Sequence, residues 1–116
     1  MREGDVLLAS LRQGNGVVKD RPVLFLRRIP PFEDLLVCGI SSQLQQAVPE
    51  LDETIAPPDS DFRTSGLKAA SLIRLGYLAV LSRSELKGRI GSVSTARRHR
   101  LLTRLSDFLR PVPAEK

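Results

Sequence analysis

The apolar residues of this chain come in short runs, and nearly every run is closed off by glycine, proline or a polar cluster. Runs of that length are strands rather than helices. Val6–Ser10 reads as a strand following Gly4-Asp5. Arg12–Asp20 centres on Gly14-Asn15-Gly16, residues that tolerate positive φ, and predicts a hairpin turn with mobile flanks. Pro22–Arg28 reads as a second strand, opened by a proline that has no donor to lose and broken by Pro30-Pro31. Leu35–Ile40 is a continuous apolar run too short for a helix, hence a buried strand. After the polar Gln43–Gln46, Asp52–Ala56 is a weaker strand candidate stopped by Pro57-Pro58, and 59–68 reads as a polar loop. Ala70–Leu81 is apolar but interrupted by Arg74-Leu75-Gly76, so it forms two short strands or one bent one.

The pattern then changes to a helical one. Ser84 is placed to cap a short helix running through Leu86 and Ile90 to a stop at Gly91. Ser94 is placed to cap a longer helix reaching Leu109, ended by Pro111 and Pro113. In it Leu101, Leu102, Leu105, Phe108 and Leu109 form one apolar face. Arg97, Arg100 and Arg104 lie on another face, and Arg98 stands near the apolar side with its stem packed. Five to seven short strands followed by helices predict a mainly β, α+β fold: a small antiparallel barrel or open sheet with C-terminal helices. The 116 residues suit one domain, with residues 112–116 expected to fray. Aromatics are only 4%, so the core must be built from Leu, Ile and Val.

Several function classes fall away. No apolar run approaches the ~20 residues of a membrane-spanning helix, and the charged N-terminus predicts no signal peptide. A single Cys38 and a single His99, with no Cys-x-x-Cys or His-x-x-x-His, rule out a disulfide within the chain and a Cys-rich zinc site. No cofactor or resident metal is expected, and the compartment expected is cytoplasmic. Gly14-Asn15-Gly16 is a turn and not a phosphate loop, since no helix opening with Gly-Lys-Ser/Thr follows it. Cys38 reads as an inert core residue. The net charge is +5, and it is unevenly spread: residues 83–110 carry +6 while 50–61 hold five acids and no base. A basic end suits a polyanion or an acidic protein tail, and equally suits a solvated helix face.

Gly4-Asp5-Val6, Arg21-Pro22-Val23-Leu24, Ile40-Ser41-Ser42-Gln43, Arg63-Thr64-Ser65-Gly66-Leu67 and Ser71-Leu72-Ile73-Arg74-Leu75, followed by Leu86 to Ile90-Gly91, stand in a telling order. In order and spacing, over about residues 4–109, they resemble the MazF/PemK-type toxins. The resemblance implies a compact SH3-like barrel with helices, usually a homodimer. It implies a cytoplasmic toxin of a type II toxin–antitoxin pair, neutralised by an antitoxin with an acidic tail. Most such toxins are metal-independent, sequence-specific endoribonucleases that cleave single-stranded RNA and so inhibit growth. The related CcdB-type proteins share the fold without that catalysis and poison DNA gyrase, which keeps a non-catalytic binding barrel as the alternative.

Metal-free RNA cleavage uses the neighbouring 2′-hydroxyl as nucleophile and needs proton transfers plus positive charge on the phosphorane. Arginine suits the charge role, because its fork binds two phosphate oxygens and stays ionised. By resemblance Arg21 and Ser41 are the catalytic candidates, and the general base is unassigned. Read plainly, Arg21 is a polar residue before a proline and Ser41 a hydroxyl closing a turn. Arg74, Gln43, Ser42 and Lys19 are candidates for binding RNA or supporting the site. Arg74 alternatively pairs with an acid of 50–61, and Gln43 alternatively only covers the surface. The Arg97/Arg100/Arg104 face either grips RNA phosphates or antitoxin carboxylates, or is simply solvated. His99 lies among these arginines, away from the other candidates.

Overall fold

Residues 1–113 are described by a computed structural model; the predicted fraying of the C-terminus falls largely on 114–116, outside the described residues. Six strands are present: β1 (Asp5–Arg12), β2 (Val18–Ile29), β3 (Asp34–Ser41), β4 (Glu53–Ile55), β5 (Ser71–Leu81) and β6 (Leu86–Ser92). A four-residue α1 (Phe62–Ser65) and a fifteen-residue α2 (Thr95–Leu109) complete the fold. The strands form one antiparallel sheet in the order β4-β5-β3-β2-β1-β6. The hairpin joining β1 to β2 turns as its residues require. Gly16 sits at φ 85° and donates to the Gln13 carbonyl at 2.9 Å, and Val17 N–H donates to Asn15 Oδ1 at 3.0 Å.

Alternation along the strands divides the core in two. Val6, Leu24, Leu26, Cys38, Ile40, Ile55, Ile73 and Leu75 point to one face, where Leu101 and Leu105 of α2 cover them. Leu7, Ala9, Leu11, Val23, Phe25, Leu35, Val37 and Leu81 point to the other. That second cluster is drawn from strands alone and is buried. The sheet must therefore curl over it, as an SH3-like sheet does. The ladder does not close into a barrel: β4 and β6 remain its two edges. Cys38 lies in the first cluster, where burial pushes its thiol up to about 12, an unreactive state.

The short helix expected from Ser84 to Gly91 is instead a single 3-10 turn (Arg83–Glu85) followed by β6. The cap exists two residues earlier, where Ser82 and Glu85 form a reciprocal capping box. The chain then leaves the helix because the open edge of β1 offers it a ladder from Asp5 to Ala9, with bulges that absorb the mismatch. The predicted loop at 59–68 contains α1 and a buried Asp61. Ala70–Leu81 is one bent strand rather than two. The helix from Ser94 forms as expected, with Ser94 Oγ accepting from Arg97 N–H at 3.1 Å. Only Leu101 and Leu105 of its apolar face are buried, and Phe108 and Leu109 extend past the sheet into solvent.

The basic face of α2 is not free to grip a polyanion. Arg97 is buried and donates to Asp61 at 2.8 and 3.0 Å, to Glu53 at 2.8 Å, to Asp59 at 3.1 Å and to the Thr54 carbonyl at 3.1 Å. Arg100 Nε donates to Glu53 at 3.0 Å, and Arg104 donates to the Asp52 carbonyl at 2.8 Å. Glu53, Asp59 and Asp61 thus neutralise Arg97, Arg100 and Arg104. The Arg97 guanidinium holds the Asp61 carboxyl down at about 2. Arg98 packs its stem beside Gly4 and pairs with Glu3.

Candidate functional site

Three neighbouring strands meet on the second face of the sheet where its apolar cluster ends. Val23 of β2 is paired with Gly39 of β3, and Gly39 is paired on its other side with Arg74 of β5. Side chains two apart on a strand share a face. Arg21, Gly39, Ser41 and Arg74 therefore lie on the face of Val23 and Val37. They line a cavity of about 210 Å³ together with Leu11, Gln13, Pro22, Ile40, Ser42, Gln43 and Tyr77. This is smaller than the ~300–1,000 Å³ of sites that enclose a whole ligand. It suits one segment of a polymer that continues outside.

Local sequence sets each wall. Arg21 precedes Pro22 within β2 and is exposed, opposite Ala9 of β1. Gly39 forms the floor because it has no side chain. A Cβ there would come within 3.2 Å of Cγ and 3.3 Å of Cδ1 of Tyr77, so the tyrosine lies directly against the glycine. The ladder between β3 and β5 jumps after Arg74, from Gly39↔Arg74 to Cys38↔Leu78. Leu75, Gly76 and Tyr77 form the resulting bulge, and bulges re-aim the side chains they carry. The buried Asp52 fastens this bulge by accepting from Leu75 N–H at 3.0 Å. Ser41 closes the end of β3: its Oγ accepts from Gln43 N–H at 3.0 Å. One of its two lone pairs is thereby used, and the hydroxyl proton remains available to donate.

The cavity is cationic. Arg21 and Arg74 line it with no carboxylate, and neither forms an ion pair among the described residues. The expected alternative for Arg74, pairing with an acid of 50–61, is thus not what occurs; Glu53, Asp59 and Asp61 pair with arginines of α2 instead. Of the residues singled out in the sequence, Arg21, Ser41, Ser42, Gln43 and Arg74 come together. Lys19 does not: it is exposed two residues further out on β2, opposite Leu11. His99 is exposed on α2 and lies outside the cavity. Gln13 and Tyr77 are lining residues that the sequence did not single out. The one available signal for Tyr77 was its position just after a glycine in an interrupted apolar run. Among the described residues, no group of three or more His, Cys, Asp or Glu is placed to hold a metal ion.

This fold and cavity define a class of small sheet proteins that present cations and a hydroxyl at one sheet face. Residues 2–109 match the family described as "PemK-like, MazF-like toxin of type II toxin-antitoxin system". The chain belongs to this PemK/MazF-like toxin family. Two solved structures share the fold. The Mycobacterium tuberculosis toxin MazF-mt6 superposes with a TM-score of 0.66 at 18% identity, over 89% of this chain and 93% of that one. An endoribonuclease in complex with its cognate antitoxin, from Mycobacterial species, superposes with a TM-score of 0.67 at 20% identity, over 97% and 99%. No curated protein sequence matches the chain. Among the described residues no helix is long and apolar enough to cross a membrane.

Proposed function

We propose that this chain is a metal-independent, sequence-specific endoribonuclease that cuts single-stranded RNA and thereby arrests growth. The observation that carries the reading is the convergence of Arg21, Arg74 and the Ser41 hydroxyl in one acid-free cavity. The 2′-hydroxyl gives its proton to solvent water as its oxygen attacks phosphorus, the bond to the 5′-oxygen breaks and that oxygen takes a proton from water, so the products are a 2′,3′-cyclic phosphate and a 5′-hydroxyl. Arg21 binds two non-bridging oxygens and neutralises the charge that grows on them. Ser41 donates its free proton to a phosphate oxygen, and Arg74 supplies the second cation. Ser42 and Gln43 stand at the rim to meet a base edge, and Lys19 outside the cavity meets a flanking phosphate. Among the described residues no carboxylate or imidazole lines the cavity, so what these side chains contribute is charge and positioning. Only an unpaired strand gives the cavity both backbone and bases, since the A-form major groove is too narrow to read.

Family membership and the antitoxin-bound mycobacterial endoribonuclease support a cognate acidic antitoxin as partner. The family resemblance supports a homodimer acting in the cytoplasm. The test is cleavage of a long single-stranded RNA in EDTA, wild type beside Arg21→Ala, with fragment ends mapped. Discrete cuts with 5′-hydroxyl ends, reduced by about 100-fold or more in the folded variant, are expected. Loss of all cutting on chelation overturns the metal-independent chemistry. Intact RNA throughout, with growth arrest retained, overturns the ribonuclease reading in favour of a protein target such as gyrase.

A further inference from the structure

We infer that Tyr77 is the platform on which one base of the RNA stacks; this rests on the ribonuclease reading above. Phosphate-binding arginines place a backbone but do not say which nucleotide lies in the cavity. A base needs a flat apolar surface and hydrogen-bond partners at its edge. Tyr77 is the only aromatic residue in the cavity lining, and Gln13 and Gln43 are the lining amides.

The ring is also held in advance of binding. It lies against the Gly39 backbone, close enough that even a methyl group there would press on Cγ and Cδ1. The bulge that carries it is fixed by Asp52 through Leu75 N–H. Its other side is open, with Tyr77 37% exposed. Among the described residues its hydroxyl has no hydrogen-bond partner, so packing on Gly39 and not a polar anchor sets its place. An apolar ring held rigid on one side and bare on the other is unusual on this chain. Phe25 is fully buried, and Phe32 and Phe108 stand exposed outside the cavity. Arg74 and Tyr77 flank the bulge, so a phosphate on Arg74 leaves a neighbouring base within reach of the ring.

Tyr77 is the only tyrosine and the chain has no tryptophan, so its emission reports on this one ring. The probe is a 2′-O-methyl copy of the RNA segment that the wild-type protein cuts, which binds without a nucleophile. It is used beside copies made abasic at one nucleotide at a time. Saturable quenching of the tyrosine emission is expected, lost with one abasic position and kept with the others. Tyr77→Leu is expected to weaken binding of the intact probe by about 5- to 150-fold and raise KM with kcat nearly unchanged, whereas Tyr77→Phe keeps both. Tight binding and normal cutting with unchanged emission, or with wild-type KM in Tyr77→Leu, overturn the stacking inference and leave the ribonuclease reading standing. Absence of cutting by the wild-type protein removes both.

Discussion

Replacing Arg97 with methionine isolates the network that ties α2 to the acids of 53–61. Methionine keeps the length of the apolar stem and removes only the fork. The change leaves Asp61 and Glu53, whose side chains are 7% and 8% exposed, without their shared cation. Breaking a buried ion pair from one side costs about 3–5 kcal/mol, because the surviving carboxylates stay desolvated. For a chain this size that lowers the midpoint of thermal unfolding by on the order of 15 °C. A second reading comes from acid. The Asp61 carboxyl is lowered from 3.8 to about 2 by its hydrogen bond to Arg97. A carboxyl depressed in the folded state stabilises it above the unfolded value, and that contribution of about 2 kcal/mol is lost as pH falls from about 4 toward 2. In Arg97→Met only the Ser94 N–H, at 3.0 Å, still favours the charged carboxyl, so this part of the acid sensitivity shrinks. With no tryptophan to follow, urea unfolding by far-UV circular dichroism at pH 7 and pH 3 is the assay. A loss below about 1 kcal/mol at pH 7, or an acid slope identical to wild type, would refute a stabilising buried network.

Two further outcomes test the site and the core. Gly39→Val fills the cavity floor and crowds Tyr77, so it costs about 1–3 kcal/mol of stability and abolishes RNA cutting while the circular dichroism spectrum is retained; cutting at the wild-type rate would show that the floor is not where substrate sits. Leu101→Ala, at a fully buried position of α2, costs about 2–5 kcal/mol in urea unfolding, whereas Phe108→Ala, at a side chain 64% exposed, changes stability by less than about 0.5 kcal/mol.

Much of the sheet was legible because its turns carry their own chemistry. Gly14-Asn15-Gly16 announces a hairpin whatever the rest of the chain does. β6 was not legible, since Leu86 and Ile90 at helical spacing behind a true capping box describe a helix. Only the bare edge of β1, eighty residues earlier in the chain, makes a strand there the better outcome. The α2 arginines were visible as charge, but their partners lie more than 35 residues away and are brought to them by tertiary structure alone. Arg21, Ser41 and Arg74 stood out through family resemblance, and their shared face follows from the register of β2, β3 and β5. Tyr77 reaches that face through a bulge, and a bulge belongs to a pair of strands, so no single stretch of sequence announces it.

The polar walls of the cavity are single side chains on separate strands or on the adjoining loops, and neither hydrophobic cluster includes Arg21, Ser41, Gln43, Arg74 or Tyr77. Their replacement leaves the folding core untouched, and substitutions at sites that share no partner add almost independently. A lineage of such proteins can therefore exchange one wall at a time without first acquiring a new scaffold. Divergence at the cavity would outrun divergence in shape, and solved structures at 18–20% identity still superpose along nearly their whole length.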